Sequence, residues 1–509
     1  MLTGFTHKFK PLEILTEEEI EEIHRATLDV LWQTGVTFHH EKALRLFKKN
    51  GCKVDFEGNS VGRVHFPPGL VEECLRKAPS SFHIKARDQK NNLLMGGDTL
   101  YLGVGCGMQA LDLDTWEMRP ATSKENYDGV TVLDALENLH WLGNYTPYFG
   151  FEGVPSLMAM LESDASRIRN SSKVIGITFT NDSELFSIRM AQAVETEAIG
   201  NVTASPPLTL YTEAVEACFR YIEAGFPLHL VSGPMMGGTA PATYAGAMIT
   251  NNAEIIAALV LAQLVKPGVR CLVTDFTFPQ NMQTGAPGFG QIGGSIHQTM
   301  FNQIWRRYGV PMGNGGSGAA HTASKRIDFQ NGYERSIGIL LNALSGVNYA
   351  WFFGAVYGEL TWSPIIAILD DDIVGMIGRF MDGVDVNDET MAIDLINEVG
   401  PIPGFYLNKV HTRKWWQKEQ FVPKAADRLT YPEWVKAGKK SCLDYAKERM
   451  EEILATHKVS IALTPSQEDD IRRILEEARE WYRKKGLISD EEWKVYKDKV
   501  LKSPDYPYG

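Results

Sequence analysis

Residues 228–278 contain the pattern that decides the fold: LHLVS at 228–232, AEIIAALVLAQLV at 253–265 and CLVTDFTF at 271–278. The first and third runs are short, apolar and rich in β-branched residues, which is typical of buried strands. The run between them has the length and composition of a buried helix. A strand, a crossover helix and a second strand form a unit in which the two strands lie parallel.

The same alternation repeats from about residue 130 to about residue 400. It predicts strands over 139–145, 174–180, 203–210, 228–232, 271–278, 310–313 and 347–353. It predicts helices over 183–197, 211–224, 253–265, 292–308 and 333–344. We expect an eighth strand near 404–407. The repeats favour an α/β fold of the (β/α)8 TIM barrel type over a doubly wound sheet, because Gly, Pro and aromatic residues follow almost every strand, where a barrel places its site loops.

Two further regions flank the predicted barrel of residues 126–425. Residues 1–125 predict an N-terminal α+β extension, which includes a capping box at Thr16 and a β-rich run at 99–105. Residues 426–509 predict a C-terminal helical tail, in which Thr464 begins a charged helix that ends at Gly486. We interpret that helix as a docking or oligomerisation element. Its predicted apolar face consists of Ile471, Ile474, Leu475, Ala478 and Tyr482.

Composition restricts the classes of function. Of the 509 residues 44% are hydrophobic, so the chain can build a large core. The 51 Lys and Arg against 63 Asp and Glu give a net charge of −12, and we expect neither nucleic-acid nor membrane binding. We find no apolar leader and no apolar run of membrane-spanning length, which predicts a cytoplasmic protein. Six unpaired cysteines predict reduced thiols: Cys52, Cys74, Cys106, Cys218, Cys271 and Cys442.

No pattern of metal ligands or nucleophiles stands out. The 12 His residues show no ligand spacing, so we expect no metal bound by this chain. The run Asp370-Asp371-Asp372 precedes an apolar stretch, and we interpret it as a helix cap rather than a cation site. The chain has no GxSxG elbow for a serine nucleophile.

Aromatic residues are dense where the predicted strands end, near residues 145–151, 276–289 and 349–362. A single aromatic residue in a strand belongs more often to the core than to a site. Several ring faces that converge at a barrel mouth form a different arrangement. They bind quaternary ammonium ions, which are large and weakly hydrated and have no N–H to donate.

Short motifs add a resemblance to a known family. They are GTAPATYAG at 238–246, NAE at 252–254, LVKPG at 264–268, SK at 324–325, DFQ at 328–330, GYE at 332–334, VG at 399–400, HT at 411–412, DR at 427–428 and Trp434. Together they resemble the trimethylamine:corrinoid methyltransferase family over about residues 15–450. The resemblance implies a TIM barrel, in agreement with the alternation of strands and helices.

Founding members of that family carry pyrrolysine, encoded by an in-frame amber codon, near the segment that matches 328–334. This chain has ordinary residues there, and Asn331 is our choice for the equivalent position. It therefore resembles the non-pyrrolysine branch, whose characterised members demethylate quaternary amines such as glycine betaine. The resemblance implies catalytic-site roles for Asn331, Gln330 and Glu334.

The chemistry of methyl transfer agrees with this branch. A quaternary ammonium that loses a methyl group to cobalt(I) leaves as a neutral tertiary amine, whereas a tertiary amine must first be activated. The protein then mainly positions the cation. The chain lacks the Asp-x-His-x-x-Gly segment that ligates cobalamin in carrier proteins. The implied cofactor is therefore a corrinoid (cobalamin) supplied by a partner corrinoid-binding protein docked over the barrel mouth.

We therefore predict a methyltransferase that acts on a small quaternary amine, with glycine betaine first and proline betaine, carnitine or γ-butyrobetaine as alternatives. His297, His321, Arg326 or Asn331 would receive a carboxylate. We also expect a homo-oligomer. Two rivals are a non-catalytic quaternary-amine-binding protein and another TIM-barrel enzyme, such as a lyase. The predicted substrate-binding residues are Tyr101, Tyr148, Phe149, Phe276, Phe289, His297, His321, Arg326, Tyr349, Trp351, Phe353 and Tyr357.

Overall fold

The computed structural model describes residues 4–105, 107–504 and 506–508. Eight parallel strands form its centre: β1 (Thr99–Val104), β2 (Trp141–Leu142), β3 (Val174–Ile177), β4 (Ala198–Thr203), β5 (Leu228–Ser232), β6 (Cys271–Asp275), β7 (Met312–Asn314) and β8 (Tyr349–Phe353). Strand β8 pairs with β1, with Tyr349 opposite Tyr101, and this pairing closes the barrel. The prediction of a TIM barrel is confirmed, and the doubly wound alternative is wrong.

One helix follows each strand on the outside of the barrel. They are α1 (Ser123–Ala135), α2 (Ser156–Asn170), α3 (Ser183–Ala193), α4 (Thr212–Ala224), α5 (Tyr244–Val265), α6 (Ile292–Tyr308), α7 (Phe329–Leu344) and α8 (Pro364–Met381). Helix α5 begins nine residues before the predicted start at 253 and reaches 22 residues, so the expectation of no run of membrane-spanning length was wrong. Its most apolar stretch is 78% buried, and it is a core helix in this fold.

Three strand predictions were wrong. Strand Thr99–Val104 is the first barrel strand, although the sequence placed it in the N-terminal extension. Residues 404–407 form an exposed loop, since Leu407 is 85% exposed and has no neighbouring strand to pair with among the described residues. Strand β4 ends at Thr203, where the predicted strand began. Gly200 and Asn201 within β4 lower its β-propensity, so the sequence predicted the strand over the residues that follow instead.

Small residues let large rings fill the barrel interior. A Cβ on Gly103 of β1 would lie 2.0 Å from the Tyr349 hydroxyl, and one on Gly313 would lie 2.6 Å from the Thr274 hydroxyl. Because both positions are glycine, the Tyr349 ring packs against Trp141 with centroids 4.0 Å apart. The interior is therefore a packed floor beneath the mouth rather than a channel.

The N-terminal region packs α+β elements against the barrel. They are strand Phe5–Thr6, helix Glu17–Asp29 with its continuation Val30–Thr34, strand Val36–Phe38, helix Glu41–Lys49, strands Lys53–Phe56 and Gly62–His65, helix Pro68–Lys77, strand Ser81–Ile84, the short helix Gln89–Asn91 and strand Leu93–Gly96. The predicted capping box at Thr16 is present and includes Glu19.

Short strands in the loops reinforce the mouth. Gln109–Leu111, Met118–Arg119, Ala355–Val356 and Thr361–Trp362 form one sheet, and Met235–Met236 pairs with Phe278–Pro279. Thr209–Leu210, from the loop after β4, joins the N-terminal sheet.

The predicted tail of residues 426–509 is helical, with helices Tyr431–Lys436, Cys442–Thr456, Pro465–Lys484 and Asp490–Tyr496, followed by the turn Lys497–Leu501. Three further helices, Asp388–Met391, Ile393–Val399 and Val410–Glu419, lie between α8 and this tail, in a range that the sequence assigned to the barrel. Helix Pro465–Lys484 has the predicted capping box, and all five residues of its predicted apolar face are buried. Tyr482 of this face lies 6.2 Å from the Phe186 ring of α3, so the helix docks on the barrel.

The cysteine prediction holds for the residues that the structure describes. Cys52, Cys74, Cys218 and Cys271 are buried free thiols, and Cys442 is an exposed one. The sixth, Cys106, lies outside the described residues.

The acidic run at 370–372 is not a helix cap. It lies inside α8, because Ser363 caps that helix and Pro364 begins it. Each carboxylate has its own structural partner: Asp370 pairs with Arg335, Asp371 accepts from Asn138, and Asp372 accepts from two backbone N–H groups. The described residues include no cluster of three or more His, Cys, Asp or Glu that could hold a metal.

A buried carboxyl joins α5 to the strand ends. Glu254 is fully buried and accepts hydrogen bonds from the backbone N–H of Leu208 at 2.6 Å and from the Ser232 hydroxyl. Burial raises the pKa of Glu254 to about 7, and the two hydrogen bonds oppose that rise. Glu254 therefore keeps its proton in the folded protein at pH values where the unfolded chain has lost it.

This difference predicts a pH-dependent stability. Below the ordinary glutamate pKa, Glu254 is protonated in both the folded and the unfolded chain, and the folded protein has its full stability. As the pH rises toward 7, the unfolded chain loses this proton first, which lowers the free energy of unfolding. Relative to Glu254→Gln, the wild-type protein should lose about 3 kcal/mol of unfolding free energy between pH 4.5 and 7. Urea denaturation of both proteins at several pH values measures this. Parallel curves for the two proteins would contradict the assignment.

Candidate functional site

Six rings meet above the carboxyl ends of β6, β7 and β8. We call them the aromatic cluster: Phe276, Phe278, Phe289, His321, Trp351 and Tyr357. Phe276 lies 6.0 Å from Trp351 and 5.1 Å from Phe278, and Phe278 lies 5.2 Å from Phe289. The His321 ring lies 5.3–5.8 Å from the three Phe rings. Phe289 in turn lies 6.5 Å from Tyr357. Loops from three strands therefore build one continuous aromatic cluster, in which Phe278, His321 and Trp351 are buried.

The imidazoles in this cluster and in the barrel floor beneath it are neutral. Burial and the nearby Arg335 guanidinium lower the pKa of His321 to about 3. Burial lowers the pKa of His229 to about 3, and this ring lies 6.2 Å from Trp351 in the barrel floor. A cation placed against these rings therefore meets no imidazolium charge at neutral pH.

Two tyrosines near the mouth have left-handed backbone conformations. Tyr357 has φ of 50° and Tyr145 has φ of 61°, values that non-glycine residues adopt at a cost. The Tyr145 ring stacks on Phe149 with centroids 4.0 Å apart. The strain falls on residues that present rings at the strand ends, where a site is expected.

Two adjacent cations differ in what they contact. The Lys325 ammonium lies 4.3 Å from the centre of the Tyr357 ring, whereas the Arg326 guanidinium lies 5.9 Å from the Trp116 ring. Lys325, Tyr357 and Trp116 line a cavity of about 440 Å³. Both side chains are exposed, and only Lys325 contacts a ring of the aromatic cluster.

Glu334 holds the loop that carries His321. Its carboxylate accepts hydrogen bonds from the Thr322 hydroxyl at 2.6 Å, the Ala323 backbone N–H at 2.9 Å and the Gln330 amide at 2.8 Å. A Cβ on Gly290 would lie 2.3 Å from this carboxylate, so the loop after β6 also packs closely against it. Glu334 and Gln330 thus position the loops around the cluster.

A buried ion pair fixes the same loops from below. Arg335 of α7 donates to both oxygens of Asp370 of α8 at 2.7 Å. Arg335 also donates to the backbone carbonyls of Ala320, at 2.9 Å, and Phe352. Asp370 accepts from the Gly354 backbone N–H at 2.7 Å. The pair therefore joins the loop that carries His321 to the end of the strand that carries Trp351.

His297 is held by a buried carboxylate. Its Nδ1 lies 2.8 Å from an Asp275 oxygen, and neither residue has exposed surface. Its Nε2 is buried and has no hydrogen-bond partner within the described structure. Asp275 also accepts from the Asn251 amide and the Thr277 backbone N–H. The Nε2 atom of His297 is therefore free, within the described structure, to form a hydrogen bond beneath the mouth.

The remaining predicted site residues lie outside the aromatic cluster. Tyr101 and Tyr349 point into the barrel core, and Tyr148 is buried 5.5 Å from the Trp362 ring. Phe149 stacks on Tyr145, as described above. Phe353 packs in the outer core. Asn331 is buried and lines a cavity of about 270 Å³ between α7 and α8. The structure thus brings together Phe276, Phe289, His321, Trp351 and Tyr357.

Four residues of the site were missed in the sequence as site residues: Phe278, Lys325, Asp275 and Arg335. Lys325 lies inside a quoted motif, but its contact with Tyr357 depends on two loops that are distant in sequence. Asp275 gave a usable signal, since an acidic residue ends an otherwise apolar strand run. Arg335 gave none, because a charged residue within a helical pattern is normally solvent-exposed.

Comparisons with known proteins identify the family. The family model of trimethylamine methyltransferase (MTTB) matches residues 1–480. The chain belongs to the MTTB family. It is a methyltransferase, and members of the family transfer methyl groups to corrinoid proteins.

The relatives include proteins named for glycine betaine and proteins named for trimethylamine. The chain is 31% identical to glycine betaine methyltransferase of Desulfitobacterium hafniense (strain Y51), over 89% of this chain and 94% of that protein. It is 27% identical to trimethylamine methyltransferase MttB of Methanosarcina barkeri (strain Fusaro / DSM 804), over 93% and 96%. The crystal structure of the hydroxylamine MtmB complex shares the fold, with a TM-score of 0.50, 12% identity and coverage of 86% of this chain and 88% of that chain.

The Arg335–Asp370 pair predicts separable effects on stability and activity. Asp370→Ala leaves Arg335 buried without its counter-charge and should cost about 3–5 kcal/mol of unfolding free energy. The double variant Arg335→Met with Asp370→Leu removes both charges and should recover most of that loss. Its kcat should stay low, because Ala320 and Phe352 lose their shared donor. Denaturant unfolding and turnover measure the two effects, and a double variant with wild-type kcat would contradict the positioning role.

Proposed function

We propose that the protein transfers a methyl group from a small quaternary amine to the cobalt(I) corrinoid of a separate protein, with glycine betaine as the first substrate. Proline betaine, carnitine and γ-butyrobetaine have the same cationic head and carboxylate. The observation that carries the proposal is the aromatic cluster with Lys325 at its edge. Rings supply a surface for the methylated cation, and Lys325 supplies the opposite charge for a carboxylate.

The cluster suits a cation that carries no N–H group. Ring faces attract a quaternary ammonium through their quadrupole, by about 0.5–2 kcal/mol per well-placed ring. The neutral His321 adds a ring without a repelling charge. Because the positive charge disappears as the methyl group leaves, binding that is too strong would slow the reaction. Several weak ring contacts keep the binding of the cation moderate, whereas a carboxylate would bind it more strongly.

The carboxylate end of a betaine fits the position of Lys325. Its ammonium already lies over the Tyr357 ring, at the border between the aromatic cluster and the adjacent cavity. A substrate with its methylated head on the cluster would extend its carboxylate toward this ammonium. We retain His297 and His321 as further hydrogen-bonding candidates, since each has a buried ring nitrogen without a described partner.

The corrinoid supplies the nucleophile when its carrier protein binds, and this chain holds the methyl carbon in line with it. Exposed apolar side chains surround the mouth at the starts of helices and in the site loops, and we assign the carrier protein to this rim. They are Met108, Met118, Tyr244, Met282, Ile292, Phe329 and Tyr333. We place the reaction in the cytoplasm, where the predicted reduced thiols would persist.

The direct test is a methyl-transfer assay with cob(I)alamin and a panel of quaternary and tertiary amines. Loss of the cobalt(I) absorbance with a betaine but not with trimethylamine is the expected result. Turnover with trimethylamine alone would contradict the substrate class. Betaine binding without methyl transfer, repeated with the cognate corrinoid protein, would favour the non-catalytic alternative.

A lysine substitution tests the carboxylate contact. Lys325→Gln should raise the KM for glycine betaine about 10-fold or more, because a charge-assisted hydrogen bond contributes about 1.5–3 kcal/mol. The affinity for choline, which has the same trimethylammonium head without a carboxylate, should not fall. Arg326→Gln is the matched control, since its guanidinium lies over Trp116. Equal losses for betaine and choline in Lys325→Gln would remove Lys325 from carboxylate binding.

A further inference from the structure

A second cavity, between α7 and α8, is lined by different residues from the aromatic cluster. Its volume is about 270 Å³, and none of its described lining residues belongs to that cluster. A water molecule occupies about 30 Å³ in the liquid, so the cavity has room for about nine. It is therefore large enough for a small organic molecule. We call it the α7–α8 cavity.

Most of the wall of this cavity is apolar. Ile366 is 2% exposed and Met376 is 48% exposed, so the cavity extends from the core to the surface. An apolar chain that enters it would be removed from water, which is favourable in proportion to the area buried. The apolar residues of the wall are Ile327, Ile366, Leu369, Ile373, Met376 and Pro423.

A glycine in the wall leaves the cavity open. Gly332 lies in the first half of α7, and a Cβ added to it would meet no atom within 4 Å. Its backbone does not have a positive φ, so any residue could adopt its conformation. Glycine is less favourable than alanine inside a helix. The absence of a side chain at this position therefore lowers the stability of the helix and preserves the space beside it.

The carboxylates in the wall already have hydrogen-bond donors. Asp328 accepts from the Ser324 hydroxyl and from the Asn331 backbone N–H, both at 2.9 Å. Asp370 and Asp372 have the partners described above. A cationic ligand would have to compete with these bonds, so the acidic residues do not favour one.

Two donors in the wall, by contrast, have spare capacity. Asn331 is 4% exposed, and its amide nitrogen has no hydrogen-bond partner within the described structure. Arg428 is exposed at the outer side of the cavity. The only hydrogen bond of its side chain among the described residues goes to the adjacent Asp427 carbonyl, at 3.2 Å. An arginine in this state can bind a carboxylate through two parallel N–H groups.

We propose that the α7–α8 cavity is a second ligand site, for a small carboxylate with an apolar chain. The carboxylate binds Arg428, and the chain lies along the apolar residues of the wall. The occupant also contacts Arg335 and Asp370, which line the cavity and hold backbone atoms of two site loops. Its binding is therefore coupled to methyl transfer without contact with the substrate. The inference does not depend on which amine is the substrate.

Titration calorimetry of the full-length protein with octanoate tests the site. We expect saturable binding of one molecule per chain. Arg428→Gln should weaken it about 10-fold or more, because a hydrogen bond between charged groups is lost. Lys424→Gln is the matched control, since Lys424 is a nearby exposed lysine that pairs with Glu137 at 2.9 Å. It should keep the wild-type affinity. No saturable binding to the wild-type protein would overturn the inference.

Filling the cavity is a second test. Gly332→Leu places a side chain in the open space and should abolish octanoate binding, whereas Gly332→Ala adds one methyl group and should keep most of it. Both changes replace a glycine inside a helix, so neither should lower the unfolding temperature. Full octanoate affinity in a folded Gly332→Leu variant would contradict the assignment to this cavity.

The mouth must be separated from the cavity, because Lys325 could also bind a carboxylate. Lys325→Gln should leave octanoate affinity unchanged. Binding that is lost in Lys325→Gln but kept in Gly332→Leu would place octanoate at the mouth and overturn the inference. A failure of the proposed substrate class would appear in the methyl-transfer assay and not in these titrations.

Turnover measures the coupling to the mouth. With saturating octanoate, the kcat of the wild-type protein should differ from its value without octanoate, and the kcat of Gly332→Leu should not respond. A wild-type kcat that octanoate leaves unchanged would overturn the coupling through Arg335 and Asp370.

Discussion

The geometry of the mouth depends on the buried ion pair between Arg335 and Asp370. Two neighbouring helices each contribute one charge, and their remaining hydrogen-bonding groups reach backbone atoms of two separate site loops. Burial raises the pKa of Asp370 to about 6, and the Arg335 guanidinium opposes that rise. A hydrophobic pair could fill the same volume with similar stability, but it could not orient two loops. The ion pair therefore contributes more to the positions of the two site loops than to the free energy of unfolding.

The proposed recognition of a cation at this mouth depends on what surrounds the rings. Aromatic faces attract a cation weakly and without direction, so several must be held together to act as a site. Glu334 fixes the His321 loop from one side and Arg335 from the other, while burial keeps His321 uncharged. The result is an electrostatically mild surface, which suits a substrate whose charge is consumed in the reaction.

The sequence predicted the barrel well because strand and helix periodicities repeat through the chain. It failed at Thr99–Val104, since this strand is separated from its helix by an inserted pair of short strands and so lacks the pattern of a β/α unit. Aromatic density correctly indicated where rings would converge, and five of the twelve predicted substrate-binding residues meet there. The sequence could not show that Trp351 lies at the mouth and Tyr349 in the core, although both are on the same strand. The difference depends on how far the packed floor of the barrel extends toward the mouth. The partners of buried charges, such as Asp370, depend on helix packing and leave no local signal.

The most direct measurement compares glycine betaine with 3,3-dimethylbutanoate, which has the same shape and carboxylate but a carbon in place of the charged nitrogen. Titration calorimetry of the purified protein with each compound isolates the contribution of the positive charge. If the aromatic cluster recognises the cation, glycine betaine should bind at least about 10-fold more tightly, as expected for two or more cation–π contacts. Equal affinities would show that shape and carboxylate alone are recognised, and would contradict the account.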